Sequence, residues 1–232
     1  MKNVLILSAL ALLIISCKKE GNFTLTGSVK GLKKGTLYLQ RLDDVNIVNL
    51  DSMIVDGDAN FELVTNLQEP EVLFLHLEKA DESEYDDRIR FFAEAGEMTI
   101  NTQLQNFEGF AVVTGSQNQN KLKEYEKMNT RFNERNLDLL KGSFEAQAKE
   151  DGPRIVAYDD SLMNLIKTKY RYTGNFVVTN KELEVAPYIA LTQIPDATIQ
   201  YLDTIYNSFP RPIRKSLYGK QLEKILNERK SE

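Results

Sequence analysis

The 232-residue chain carries 29 lysines and arginines against 34 aspartates and glutamates, a net charge of −5 at neutral pH. A mildly acidic chain without a basic stripe is a poor match for nucleic acid, so we expect no nucleic-acid partner. The composition, 42% hydrophobic and 27% charged, is typical of a globular protein and excludes a disordered tail as the main body. The length suits one large domain or two small ones.

The first segment, residues 1–16, has the organisation of an export signal. Lys2 precedes an apolar run from Val4 to Ile15. The run is shorter than the roughly 20 apolar residues that cross a bilayer as a helix, and it has the length of a signal-peptide core. An uncleaved anchor and an ordinary secretory signal with a chance cysteine after it are the alternatives.

The end of the apolar run, Ile14-Ile15-Ser16-Cys17, resembles the lipobox of bacterial lipoproteins. The resemblance implies a diacylglyceryl group on the sulfur of Cys17, cleavage before that residue, and usually acylation of the new amine. Two or more acyl chains hold a protein stably on a membrane, whereas one chain does not. We therefore predict lipidation at Cys17, a lipidated tether over residues 17–22, and a membrane partner reached through that lipid.

The residues after Cys17 refine the location. No aspartate follows the cysteine directly, so the usual retention signal of the inner membrane is missing. Lys18-Lys19-Glu20 resembles the export signal of surface lipoproteins in Bacteroidetes-type bacteria. We expect an outer-membrane lipoprotein of the cell envelope, on its periplasmic or its surface face.

The cysteine count limits the chemistry of the mature chain. Cys17 is the single cysteine of the sequence. If the lipid occupies its sulfur, no thiolate remains for thiol–disulfide exchange, which needs one as nucleophile. The mature chain could not carry out that chemistry alone.

The first half of the chain alternates apolar and polar residues with period two, which is typical of half-buried strands. Turn signals separate the segments, and many short strands at this spacing favour an antiparallel sandwich. The alternation predicts eight strands, at residues 23–29, 36–42, 45–55, 61–65, 72–77, 89–92, 96–102 and 111–115. We predict a β-sandwich domain over residues 23–116.

Several short motifs follow one another in the strand region: Phe23-x-Leu25-x-Gly27, Gly31-x-x-x-Gly35-x-Leu37-Tyr38-Leu39, Asp51-Ser52, Asp56-Gly57, Phe61, Phe91-Phe92-x-Glu94-x-Gly96 and Thr114-Gly115-Ser116. Their order resembles one lipoprotein module of Bacteroidetes, catalogued as domain of unknown function 4369. In that family the module usually precedes a thioredoxin-like oxidoreductase domain, with a helical linker between. This sequence has no Cys-x-x-Cys, so the resemblance implies fold, export and anchoring but not redox activity.

After Ser116 the apolar period changes to three and four residues, which predicts helices. We expect a helical region over residues 117–232 that packs as a small bundle against the sheet. The first predicted helix has an apolar face at Leu122, Tyr125, Met128 and Phe132 and ends at a break over 141–143. A second helix is predicted over 155–170, followed by a break over 174–180. Three shorter helices are predicted over 187–194, 195–206 and 216–228, the last of them capped by Ser216. The fold class is α+β, an N-terminal antiparallel β-sandwich followed by an all-helical region.

Four features of the sequence are candidates for functional sites. His76 could ligate a metal, but no second histidine or free cysteine accompanies it, and a structural histidine is the favoured interpretation. Asp56-Gly57-Asp58-Ala59-Asn60 opens like a calcium loop, yet Phe61 and Leu67 stand where such a loop needs glycine and glutamate. A tight hairpin turn is favoured there, with Gly57 and Asn60 accommodating positive φ.

The other two features are a charge run and a serine. Asp81 to Asp87 is the densest charge run; it indicates a solvated loop, with weak cation binding or docking of a basic partner as the alternative. Ser52 beside Asp51 lacks a nucleophile elbow, and His76 is its sole histidine partner. A carboxylate pair for glycoside chemistry stays open, although nothing singles out a pair.

These observations lead to a prediction of a non-catalytic, lipid-anchored envelope lipoprotein that acts as a binding or scaffold module. No catalytic residue, cofactor or metal ligand is assigned, and an envelope protein is the expected partner. The alternative, which rests on family association alone, is an accessory partner of a separate thioredoxin-like thiol-disulfide oxidoreductase. A hydrolase with an unrecognised carboxylate pair is a third interpretation.

Overall fold

A computed structural model describes residues 20–43, 45–80 and 86–231. Eight strands precede six helices, which confirms the predicted α+β architecture. The strands are β1 (Phe23–Lys30), β2 (Lys34–Asp43), β3 (Asn46–Asp56), β4 (Asn60–Thr65), β5 (Glu71–Lys79), β6 (Asp87–Ala93), β7 (Gly96–Gln103) and β8 (Val112–Thr114). The helices are α1 (Gln117–Ala148), α2 (Gly152–Thr179), α3 (Val185–Gln193), α4 (Ile199–Ser208), α5 (Arg211–Arg214) and α6 (Leu217–Ser231).

The strands form two four-stranded sheets. Sheet I has the order β4-β1-β7-β8 and sheet II the order β3-β2-β5-β6. All neighbouring strands are antiparallel except β1 and β7, which run parallel from Phe23 beside Gly96 to Lys30 beside Gln103. The predicted antiparallel sandwich therefore contains one parallel pair, at the centre of sheet I. Period-two alternation does not reveal this, because both orientations bury alternate side chains.

The predicted turn at Asp56–Asn60 exists, but it does not close a hairpin. Gly57 has φ +92°, and Asp58 Oδ1 accepts from the backbone N–H of Asn60 at 3.0 Å. Asn60 itself does not have positive φ and begins β4. β3 belongs to sheet II and β4 to sheet I, so the turn is an arch that carries the chain from one sheet to the other.

The sandwich core lies between the two inner faces. Alternate residues of each strand point inward, and leucine and phenylalanine dominate them. Phe23 and Phe91 stack across the core with ring centroids 6.4 Å apart. Fully buried members from both sheets are Phe23, Leu25, Leu63, Ile100, Leu37, Leu39, Leu73, Leu75 and Phe91.

The helical region packs on the outer face of sheet II, as predicted. Phe92 of β6 is fully buried there, edge-on to Tyr188 of α3 and Tyr218 of α6 with centroids 5.7 Å apart in each pair. Ser216 is confirmed as the cap of the last helix, since its Oγ accepts from Gly219 N–H at 3.3 Å. The fourth predicted helix begins later than expected, at Ile199, after the cap Thr198.

Two predicted helix breaks are wrong. α1 continues through residues 141–143 as a 32-residue helix, and α2 continues through residues 174–179 as a 28-residue helix. The glycines that suggested breaks are contact points instead. A Cβ on Gly142 would collide with the Tyr158 ring, and one on Gly174 with the Tyr201 hydroxyl group. Glycine costs helix propensity at these positions but permits the close approach of a neighbouring element.

Within residues 20–43, 45–80 and 86–231, no helix combines the length and apolar character needed to cross a bilayer. The predicted signal segment and Cys17 lie outside the described residues, so the structure does not test the anchor.

Candidate functional site

The outer face of sheet II brings two of the sequence candidates into one row. Ser52 of β3 pairs with Tyr38 of β2, Tyr38 pairs with His76 of β5, and His76 pairs with Arg88 of β6. The helices cover the other end of this face, around Phe92. The row is therefore the open part of the outer face.

His76 is held mainly by aromatic and charged neighbours. Its ring stacks on Tyr38 with centroids 5.9 Å apart, and its Nε2 lies 3.5 Å from Asp86 Oδ1. Burial lowers the pKa of His76, and the nearby Arg88 guanidinium lowers it further, while Asp86 opposes both. A neutral imidazole packed against a tyrosine fits the structural interpretation. No cluster of three metal-ligating side chains occurs in the described part of the chain.

Ser52 and His76 share the row but do not meet. Tyr38 stands between them, and two strand spacings put them about 10 Å apart. A nucleophile and its base must come within hydrogen-bond reach. Both carboxylate oxygens of Asp51 accept from backbone groups and not from the His76 ring. Oδ1 accepts from the Ser52 N–H and Oδ2 from the Val64 N–H of β4, each at 2.8 Å. The structure therefore does not bring the serine, histidine and aspartate together as a catalytic set.

The acidic run is described only at its end. Residues 81–85 lie outside the described part of the chain. Asp86 lies 3.3 Å from the Arg88 guanidinium, and Asp87 lies 2.5 Å from the Lys79 ammonium group. These two carboxylates are engaged with cations of the same sheet, and cation binding or docking by the whole run stays a prediction.

The sequence patterns did not predict a charged junction between sheet II and the helices. Arg90 of β6 donates to Glu126 of α1 at 2.5 Å and to the Tyr188 hydroxyl group of α3 at 2.9 Å. Burial raises the pKa of Glu126, and Arg90 lowers it by less. A cleft of about 230 Å³ opens beside the junction, lined also by Glu108 and Lys123. Nothing in the sequence signals the junction, because its members lie 36 to 98 residues apart.

The two longest helices form a hairpin that extends beyond the sheet contacts. Tyr125 of α1 shares a buried hydrogen bond of 2.7 Å with Thr173 of α2, and Gly142 lies against Tyr158. The residue numbers in these pairs add to about 300, which fixes the antiparallel register of the helices. We call residues 130–165 the arm. The two helices of the arm meet along a seam. Leu139 and Ala146 of α1 are buried in it, and Tyr158 and Leu165 of α2 are part-buried in it.

The outer sides of the arm carry four exposed apolar residues. Leu137 and Phe144 of α1 are 65% and 64% exposed, and Val156 and Met163 of α2 are 61% and 62% exposed. Each lies two positions before a residue of the seam, which is a turn of about 200° around the helix, so Leu137 and Phe144 point to one outer side of the arm and Val156 and Met163 to the other. The register sets Leu137 level with Met163 and Phe144 level with Val156. We call these four residues the arm face.

A groove adjoins the base of the arm face. It has a volume of about 880 Å³ and runs between α2 and the segment that leads into α4. Met163 and Ile166 line one wall, and Ala197 and Tyr201 line the other. The Tyr170 hydroxyl group donates to Asp196 Oδ2 at 3.2 Å across it. Burial raises the pKa of Tyr170, and the Asp196 carboxylate adds to the effect, so this hydroxyl group stays a neutral donor.

The surface thus has exposed apolar residues on the arm and an open polar row on sheet II. The comparison with known proteins gives a match to the part of the chain that forms the sheets. Residues 23–122 match the family described as "Domain of unknown function (DUF4369)". The match covers that part of the chain and agrees with the resemblance that the order of the motifs predicted. No curated protein matches the chain.

Proposed function

We propose that this protein is a non-catalytic, lipid-anchored lipoprotein of the cell envelope whose work is binding, as a scaffold held to the membrane through Cys17. The export signal and the lipobox-like ending in the sequence support the anchor. The side chain of Asn22 donates to the Leu67 C=O and accepts from the Leu67 N–H, each at 2.8 Å, so the fold already holds the residue before β1. A tether of at most five residues, 17–21, would therefore join lipid and fold.

The arm face is the observation that carries the binding role. Single exposed apolar residues are normal on protein surfaces, whereas a grouped patch marks an interaction site. Leu137 with Phe144 and Val156 with Met163 are each seven residues apart on one helix, so each pair forms an apolar strip on which a helix of another protein can pack. The groove beside Tyr170 and Asp196 adds a polar anchor point to that surface.

The partner we propose is an envelope protein that presents an amphipathic helix. A thioredoxin-like oxidoreductase encoded separately is the alternative partner, and it rests on the arrangement of the family alone. In that case the chain would have an accessory role in thiol–disulfide chemistry carried out by the partner.

The anchor is tested by labelling cells with radioactive palmitate. We expect label on the wild-type protein and none on a Cys17→Ala variant, since the sulfur is the proposed attachment point. Equal label on both proteins would end the proposal of anchoring at this residue.

The binding role is tested by photo-cross-linking in intact cells, with a photoreactive phenylalanine analogue at position 144. We expect one discrete adduct, lost when Leu137→Ser is added two turns earlier on the same side of α1. The matched control carries the same analogue at Val178, an exposed aliphatic position of α2 outside the arm. Identical adducts at positions 144 and 178, or an adduct that survives Leu137→Ser, would contradict binding through the arm face.

A further inference from the structure

The start of β1 and the tip of the β2–β3 hairpin lie at the same end of the sandwich. Phe23, the first residue of β1, pairs with Thr65, the last residue of β4. The chain then crosses to sheet II and enters β5 at Glu71. Glu71 forms a bidentate ion pair with Arg41, near the end of β2, with N–O distances of 2.7 and 2.5 Å. The tip that follows Arg41 is therefore beside the point where the tether joins the fold.

The hairpin tip is aliphatic and uncovered. Leu42, Val45, Ile47 and Val48 are all exposed, and Val45 is 89% exposed. Residues 46–49 of β3 are exposed without alternation, whereas Val55 near the other end of the strand is buried. The hairpin thus extends past the sandwich core and carries apolar side chains on both faces. We call these four residues the hairpin tip.

The length of chain between lipid and fold limits how far this end can be from the membrane. The tether over residues 17–21 spans at most about 20 Å when fully extended. The hairpin projects toward the same side by several residues at about 3.3 Å each. A lipid anchor at Cys17 would therefore hold the hairpin tip within reach of the headgroup layer.

We propose that the hairpin tip rests in the lipid headgroup layer as a second contact with the bilayer, beside the acyl chains on Cys17. The inference rests on the proposed anchor. Aliphatic side chains are stabilised when they leave water for the boundary of headgroups and acyl chains. Two contacts fix the orientation of the sandwich, whereas one flexible tether does not.

The charge near the hairpin tip indicates which lipids it would contact. Asp43 is exposed beside Leu42, and the sequence continues with Asp44. Carboxylates at the depth of the headgroups cost little, because the penalty for charge falls toward zero near the interface. These carboxylates have no favourable charge interaction with anionic lipids. We therefore expect the hairpin tip to settle on zwitterionic lipid and to be weakened by added phosphatidylglycerol.

The composition of the chain allows a direct test. It has no tryptophan and a single cysteine. A tryptophan introduced by substitution is therefore the sole tryptophan of the variant, and Cys17 is a unique attachment point. The chain from Cys17 onward is coupled through that thiol to maleimide-phosphatidylethanolamine in phosphatidylcholine and phosphatidylethanolamine vesicles. Val45→Trp reports on the hairpin tip. Ile54→Trp is the matched control, because Ile54 is a 76% exposed aliphatic residue near the other end of the same strand.

We expect brominated lipid to quench the tryptophan at position 45 several-fold more than the one at position 54, with a blue-shifted emission at position 45 alone. Equal quenching at the two positions, weak or strong, would overturn the proposal. A blue shift at position 45 that grows with protein concentration without vesicles would also overturn it, and would indicate a second copy as the occupant. Because the coupling supplies the anchor chemically, a negative palmitate result in cells would leave this measurement interpretable.

Discussion

The two hydrophobic cores of this protein differ in what they need from each other. The sandwich core is formed by residues of the strands and their connections, from Phe23 to Val113. The core of the helical region includes Phe92, a residue of β6, with Val72 of β5 packed against it. The sheet part therefore closes its core with its own side chains, whereas the helical part is completed by the sheet.

Polar contacts across the junction repeat this asymmetry. The Tyr218 hydroxyl group accepts from Val72 N–H, and Gln119 Oε1 accepts from Phe92 N–H, each at 2.7 Å. Glu69 before β5 accepts from Leu217 N–H at 2.6 Å, at the start of α6. Buried polar groups require such partners. The helices thus satisfy backbone groups of the sheet and are positioned by them.

The largest effect should come from separating the two parts. We expect residues 20–116 to unfold cooperatively in urea as an isolated fragment, because their core is complete. We expect residues 117–231 to keep helical circular dichroism but to lose a cooperative transition, because Phe92 and Val72 are missing. Cooperative unfolding of the helical fragment alone would show that its core needs nothing from the sheet.

Phe92→Ala tests, in the intact chain, how much the core of the helical region depends on the sheet. The loss of a fully buried ring that packs on Tyr188 and Tyr218 should cost about 3–5 kcal/mol of unfolding free energy. Phe74→Ala is the control, since Phe74 lies on the same face of the neighbouring strand but outside the helical core and only part-buried. Urea denaturation measures both variants. Equal losses would mean that the junction contributes no more than an open sheet face.

Gly174→Ala should have a smaller effect, of about 1 kcal/mol or more, in the direction of lower stability. The new Cβ would meet the Tyr201 hydroxyl group, and this clash outweighs the gain in helix propensity. Addition of Tyr201→Phe should recover part of the loss. Gly152→Ala at the start of the same helix meets no atom within 4 Å, so it should be neutral or slightly stabilising in thermal melts.

Glu126→Gln should give the smallest effect, and its sign depends on pH. Burial raises the pKa of Glu126 in the folded state, so the folded state holds this proton more tightly than the unfolded state. Ionisation at neutral pH therefore costs stability, and the cost disappears as pH falls through the folded pKa and below the unfolded one. The variant should be more stable than wild type at pH 7 by a few tenths of a kcal/mol, since the group is part-exposed and screened.

Denaturation at pH 7 and at pH 3.5 measures the change in that difference. Glu134→Gln, at an exposed position of the same helix, is the control for the loss of one negative charge. A Glu126→Gln variant that is less stable than wild type at pH 7 would show that the bond to Arg90 outweighs burial at the junction.

The sequence predicts most elements because their patterns are local. Alternation located all eight strands within a few residues, and the cap at Ser216 was correct. The failures concern residues whose role depends on distant neighbours. Gly142 and Gly174 suggested helix ends, but they make room for Tyr158 and Tyr201. The arm face was within reach of the sequence, since Leu137 and Phe144 repeat at seven residues, as Val156 and Met163 do.

The central position of β1 would have a mechanical consequence under the proposed anchor at Cys17. β1 lies between β4 and β7 and is bonded to both. A pull along β1 from a lipid at Cys17 would load the ladder bonds to both neighbours together, in shear, so the bonds would not open one after another. The fold would then withstand dragging by the membrane better than a domain whose first strand lay at a sheet edge.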